Sequence, residues 1–290
     1  MVTVLMMTYP LVDQIDTRLP FDLGDPLYMG WVISWNNQFL INQDFSLSTL
    51  FDTNIYFPYK NTLAYSDLML IPSIMVSPVF YLTRNPVVTV NSLLFLLLAL
   101  DAFAMFLLAK QLTKNSLAAI MAGFFYTFSA YHLAQIGHIQ LHADAFMLLM
   151  LMYLHKWLSD NKPKYMLLAA LMLFLEALSS WYYAIYGGIL FLLFFGFFFI
   201  FKRIKITRGG LISFAIGGLV LAALLYPFIH PYLTLHKTMP NFERTVGETS
   251  VYAAAPTDYL YTVERNVFWG QLLGFSRPGV ENILFPGLAV

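Results

Sequence analysis

The sequence predicts an all-α, polytopic helical membrane protein with a long first outer loop that contains juxtamembrane helices. Three observations carry that prediction. The 290 residues are 59% apolar and only 11% charged, with a mean hydropathy of +0.67; water-soluble domains carry roughly a quarter charged residues, enough to cover their surface. Long unbroken apolar runs dominate, at about 87–109, 117–136, 141–157, 165–181, 183–201 and 211–230. Each approaches the roughly 20 residues that a helix needs to cross a bilayer core, and the alternating ten-residue segments of a membrane barrel are not seen. The basic residues, finally, collect in alternate loops. A net charge of zero argues against nucleic acid as a partner. The absence of cysteine excludes a disulfide framework and a thiolate metal site.

The elements follow in chain order. Residues 1–12 are mostly apolar but span only about 18 Å as a helix. They lack the basic start and small-residue cleavage site of a signal peptide. They read as the end of a first transmembrane helix, and the apolar run that opens at Leu284 reads as a further span cut short, so the chain is expected to be a fragment. Apolar and aromatic residues at 27, 28, 31, 35 and 39 recur at helical spacing. They predict an interfacial helix with Trp31 and Trp35 at headgroup depth. Residues 68–82 are too short to span and contain Pro72 and Pro78, which predicts a kinked, partly inserted segment.

Charge then assigns sides. The segments 110–116, 155–164 and 202–210 hold nine basic residues and one acid, Asp160. The positive-inside rule places them in the cytoplasm. Residues 13–86, the connection near 137–140, the turn at 179–183 and residues 231–290 fall outside, with seven basic residues and twelve acids. Residues 1–230 thus form a transmembrane module, and 231–290 an outer loop leading into a truncated span. Function is expected in the long outer segments. No internal repeat or pair of broken helices suggests a secondary transporter.

Several outer residues can carry chemistry. Asp25 stands between Gly24 and Pro26 just before the aromatic helix. It can cap that helix, or act as a general base toward a hydroxyl, and the roles are compatible. Lys60 and Asp67 flank an aromatic stretch; Lys60 can pair with a phosphate or simply snorkel. His138, Gln140 and His142 cluster before Asp144. The two histidines, four apart, can face one way on a helix, and with Asp144 they have metal-ligand chemistry. That spacing is common by chance, and a hydrogen-bonding wall for a polar substrate is the stronger reading, so no metal or other cofactor is expected. Trp181 and Tyr182, with Ser179, Ser180 and Tyr183, offer a stacking surface of the kind sugars use, or a plain aromatic belt. Arg84, Arg244 and Arg265, together with Lys60, are candidates to hold a donor phosphate. Asp101, Asp144 and Glu176 lie in or near the membrane, where acids are costly and are functional candidates by default; Asp101 reads as a structural partner for a neighbouring helix.

Taken in order, Gly24-Asp25-Pro26 with its aromatic helix, the stretch Phe57 to Asp67, the basic loop Lys110 to Lys114, Gly137 to Gln140, Ser179 to Tyr183, Tyr252 to Leu260 and Leu284 to Leu288 resemble the multi-pass prokaryotic glycosyltransferases of the GT-C superfamily, near its family-39-like mannosyl- and arabinosyltransferases. The resemblance covers nearly the whole chain and rests on the order of individually weak motifs. It implies a GT-C-like fold in the prokaryotic plasma membrane with the active face outside. It also implies transfer of a sugar from a polyprenyl-phosphate-linked donor to a lipid, glycan or protein acceptor, with inversion, and Asp25 matches the catalytic base. The chain departs from members that carry a second acidic pair in the next outer loop, which here reads Gly137 to Asp144, and this puts a metal-dependent variant in doubt. Two other classes stay open: a transporter or flippase in which Asp101 and Glu176 line a path, and a non-catalytic GT-C relative in envelope assembly.

Overall fold

The computed structural model describes residues 1–41, 46–201, 206–238, 245–251, 253–263, 266–272, 274 and 282–286. Its regular elements are helical. A short α1 (Val2–Met7) precedes α2 (Asp25–Ile41), α3 (Leu47–Phe51) and α4 (Leu70–Thr83). The central bundle comprises α5 (Pro86–Thr113), α6 (Ser116–Thr127), α7 (Ala130–Ala134), α8 (Ala145–Asp160), α9 (Pro163–Ala177), α10 (Trp181–Phe201) and α11 (Arg208–Thr238). A short α12 (Val246–Val251) follows. Among the described residues, four helical segments are long and apolar enough to cross a membrane: 86–113, 116–134, 181–201 and 208–238. The apolar faces of α10 and α11 are largely uncovered, with Leu192, Phe201 and Leu219 each more than 60% exposed. A water-soluble monomer does not leave apolar surface of that extent open.

Local sequence sets the helix boundaries. Asn85 accepts the amides of Val87 and Val88, and Pro86 takes the first helical position, so α5 starts there. Lys114 ends it in the left-handed conformation, and Asn115 at once caps α6 through Leu117 and Ala118. Asn161 and Pro163 repeat this stop and start between α8 and α9. The apolar run at 117–136 is not one uninterrupted α-helix: Ser129 is extended and its Oγ accepts the His132 amide, which starts α7 afresh. Within the 68–82 stretch the helix α4 begins at Leu70, after Met69 in the left-handed conformation, and continues to Thr83 with Pro78 inside it.

The bundle has two distinct ends. At one, the Thr207 amide donates to Asn161 Oδ1 at 3.1 Å, and the described basic residues Lys114, Lys162 and Arg208 lie in or beside the turns. At the other, α4 begins on the 178–180 turn, where the Leu70 amide donates to Leu178 O at 2.8 Å. Its far end returns to the same side, because Asn85 Nδ2 donates to Asp16 O at 3.1 Å and Asn91 Nδ2 to Ile15 O and Arg18 O. Helix α4 therefore lies across this end of the bundle.

Helix α5 is the shared wall. Val90, Leu93 and Leu97 pack in one apolar cluster with Met29 and Ile33 of α2 and Val76 of α4. Ala104 and Leu108 pack in another with Ala145, Leu148 and Met152 of α8. One half of α5 thus supports the segments that precede it, and the other half supports the helices that follow.

Candidate functional site

Helix α2, the 62–68 segment, the 139–142 turn, α10 and α11 converge at the α4-covered end around a cavity of about 710 Å³. That size accommodates a small organic substrate. Asp25, Tyr28 and Met29 of α2 line it. So do Tyr56, Ala64, Tyr65, Ser66 and Asp67 from the intervening segment, and Gln140 from the turn. Trp181, Tyr182 and Ile185 of α10 and Ile229 and Tyr232 of α11 complete it.

Asp25 is the first residue of α2, but it does not cap the helix. The amides of Leu27 and Tyr28 donate to Gly24 O, which makes Gly24 the cap, and Asp22 Oδ1 holds the Gly24 amide at 2.8 Å. The Asp25 carboxylate is thereby left for other partners. Gln140 Nε2 donates to its Oδ2 at 3.4 Å, and His138 Nε2 lies 3.3 Å from the same oxygen. The side chain of Asp25 is half exposed and that of His138 mostly covered.

Asp67 sits deeper, at 5% exposure. Its Oδ1 accepts the Trp181 backbone amide at 2.7 Å, at the first residue of α10. Burial pushes its carboxyl up to about 6, and the Trp181 amide offsets this only in part. Burial likewise raises the Tyr28 hydroxyl, with Tyr56 nearby adding to the effect. The chain approach to Asp67 is pinned on both sides: Asn36 Nδ2 donates to Leu68 O at 2.8 Å, and Tyr232 OH to Ser66 O at 2.9 Å.

Of the residues singled out from the sequence, Asp25, Asp67, Gln140, Trp181 and Tyr182 share the cavity wall, and His138 stands against Asp25. The others part from it. Lys60 is 75% exposed and pairs with Asp52 at 2.9 Å, and it does not line the cavity. Arg84 ends α4 in the left-handed conformation and lies over the Tyr81 ring at 5.7 Å. Arg244 and Arg265 lie outside the described residues. His138 and His142 do not share a helix face. The 139–142 turn is a 3₁₀ helix with His138 as its cap, and His142 is fully buried with Nε2 3.0 Å from Gln135 O. Among the described residues, no group of three or more His, Asp or Glu side chains is arranged to hold a metal ion.

Asp101, Asp144 and Glu176 are each fully enclosed and do not line the cavity. Tyr126 donates to Asp144, His132 Nε2 lies 3.8 Å from it, and Asp101 lies beside it at the start of α8. Glu176 Oε2 accepts the Met147 amide at 2.7 Å, so this acid from α9 satisfies the first turn of α8. Tyr28, Tyr65 and Tyr232 are cavity residues that sequence reasoning did not select. Only the aromatic content of α2 hinted at the first of them. A scan against protein-family models, a search of curated proteins and a search of solved structures each find no match to this chain.

Proposed function

We propose that the chain is a multi-pass membrane glycosyltransferase of GT-C type that transfers a sugar from a polyprenyl-phosphate-linked donor to an acceptor hydroxyl at the outer face of a prokaryotic plasma membrane. The observation that carries this reading is the Asp25 carboxylate. It is half exposed at an aromatic-lined cavity, released from helix capping by Gly24, and held by His138 and Gln140. In the proposed step the acceptor O–H gives its proton to Asp25 as its oxygen bonds to the anomeric carbon. The sugar–phosphate bond breaks on the opposite face, and the lipid phosphate leaves with the electron pair, so the anomeric configuration inverts. The phosphate leaves ionised and needs positive charge rather than a proton. His138 and Gln140 orient Asp25 for the proton transfer. Trp181 and Tyr182 supply the surface on which a sugar ring stacks.

The transporter reading draws less support. It requires Asp101 and Glu176 to line a path, and both are enclosed, with one Glu176 oxygen committed to the Met147 amide. The deciding experiment is Asp25→Asn in the full chain reconstituted with labelled polyprenyl-phosphate sugars. Transfer is expected to vanish while the melting temperature is kept, and full transfer by the variant overturns the assignment.

A further inference from the structure

The cavity wall has an unusual balance for a site that receives sugar phosphates. Its described residues include two carboxylates, Asp25 and Asp67, and six aromatic rings, but no lysine or arginine. Asp67 is 5% exposed; its Oδ1 accepts the Trp181 amide, and no described residue donates to its Oδ2. A carboxylate oxygen that faces the cavity without a protein donor is matched to a donor that water or a ligand brings. The rings reinforce that preference. Trp181 and Tyr232 meet at 71° with centroids 5.4 Å apart, and Tyr56 and Tyr65 at 79° with centroids 5.1 Å apart. Each pair forms a corner of aromatic surface in the same cavity wall as the carboxylates. Ring faces are electronegative and attract a desolvated cation within about 6 Å. A phosphate in this space meets repulsion from the acids and the ring faces alike.

We propose that the cavity recognises a protonated primary amine on its substrate, with the ammonium seated against Asp67 Oδ2 and between the Trp181–Tyr232 and Tyr56–Tyr65 corners. The inference rests on the reading of this cavity as the substrate site and adds a substrate class: an amino sugar or an amine-bearing lipid headgroup. A primary ammonium fits because it donates to Oδ2 as well as facing the rings, whereas a quaternary ammonium has no N–H to give. The phosphate of a donor then stays outside this space.

The test is calorimetric titration of the full chain in lipid nanodiscs at pH 7. Glucosamine is compared with glucose, and ethanolamine with ethylene glycol. At least one amine is expected to bind about tenfold or more tightly than its neutral counterpart, and the pair with the larger ratio identifies the source. In Asp67→Asn the ratio is expected to collapse toward one. Because Asp67 also holds the first amide of α10, the exposed-rim variant Tyr56→Leu is measured beside it, with an expected loss of about threefold in amine affinity and an unchanged melting temperature. Equal affinities within both pairs, failure of both amines to bind, or a ratio preserved in Asp67→Asn overturns the proposal. So does an undiminished amine preference in Tyr56→Leu should Asp67→Asn not fold. A failure of the transferase reading looks different: Asp25→Asn keeps its transfer while the amine preference stands.

Discussion

The backbone amide of Trp181 donates to Asp67 Oδ1 at 2.7 Å across 114 positions of sequence. Trp181 is the first residue of α10, so a carboxylate from a distant segment serves that helix start. Asp67→Ala leaves a buried amide unsatisfied. It is expected to lower stability by about 2–3 kcal/mol, against about 1 kcal/mol for Asp67→Asn, whose side-chain oxygen still accepts. Thermal unfolding in detergent, followed by tryptophan fluorescence, checks the difference.

The same residue gives a pH signature. Its folded carboxyl titrates near 6, above its ordinary value of 3.8. A carboxyl that holds its proton more tightly when folded contributes stability that is fully present below about pH 3.8 and is lost as pH rises through about 6, at roughly 1.4 kcal/mol for each unit of separation. The melting temperature of the wild type is therefore expected to fall between pH 4 and 7. Part of that fall is expected to disappear in Asp67→Asn, and identical profiles for the two proteins contradict the assignment.

His138 is the neighbour of Asp25 that can carry a positive charge. His138→Ala is expected to slow sugar transfer by about 10- to 100-fold with little change in unfolding, the scale seen when a group orienting a reactive side chain is lost. Steady-state kinetics on the reconstituted protein separates this from a fold defect.

Where sequence reasoning reached the site, it did so through residue type and the side of the bundle. Asp25, Asp67, Gln140 and Trp181 are polar or aromatic residues in the connections at one end, and the fold brings them together. Partners chosen by closure in three dimensions stayed hidden. Tyr232 reaches Ser66 across 166 positions, a distance that no periodicity reports. Lys60 offers a phosphate-ready charge in the sequence, and the turn that follows α3 delivers it to Asp52 instead. The pair His138 and His142 failed on helix type, since four-residue spacing aligns side chains on an α-helix and not on a 3₁₀ turn. Glu176 stood out as an acid within an apolar run. Its observed partner, the Met147 amide, is a backbone group and so leaves no mark in composition.

Gly123 of α6 lies tight against the backbone of α5. A Cβ there meets Ala102 O at 2.5 Å, and that atom is backbone that cannot swing aside. Gly123→Ala is expected to force the helices apart and cost about 1–3 kcal/mol, as small residues at helix contacts in membranes permit packing that a methyl group blocks. Gly188→Ala, which meets nothing within 4 Å, is the matched control, and the difference in melting temperature is the readout.

The chain has no cysteine, so single introduced thiols report sidedness directly. Lys60→Cys is expected to react with an impermeant maleimide in intact cells, and Lys162→Cys only after permeabilisation. The reverse pattern overturns the proposed orientation. Both positions are well exposed, which makes labelling a matter of compartment rather than burial.

At about 1.5 Å per residue, the 28 residues of α5 measure roughly 42 Å and the 16 of α8 only about 24 Å. The shorter helix starts level with Asp101, past the midpoint of its longer neighbour. The remaining length of α5 is walled by α2 and α4, built with buried asparagines and capped turns in the manner of a water-facing domain. The turn that carries Gln140 into the cavity wall leads directly into α8, so the length of α8 sets how far that turn stands from the basic end of the bundle. One turn more or less in α8 would shift Gln140 by about 5.4 Å along the bundle relative to α5.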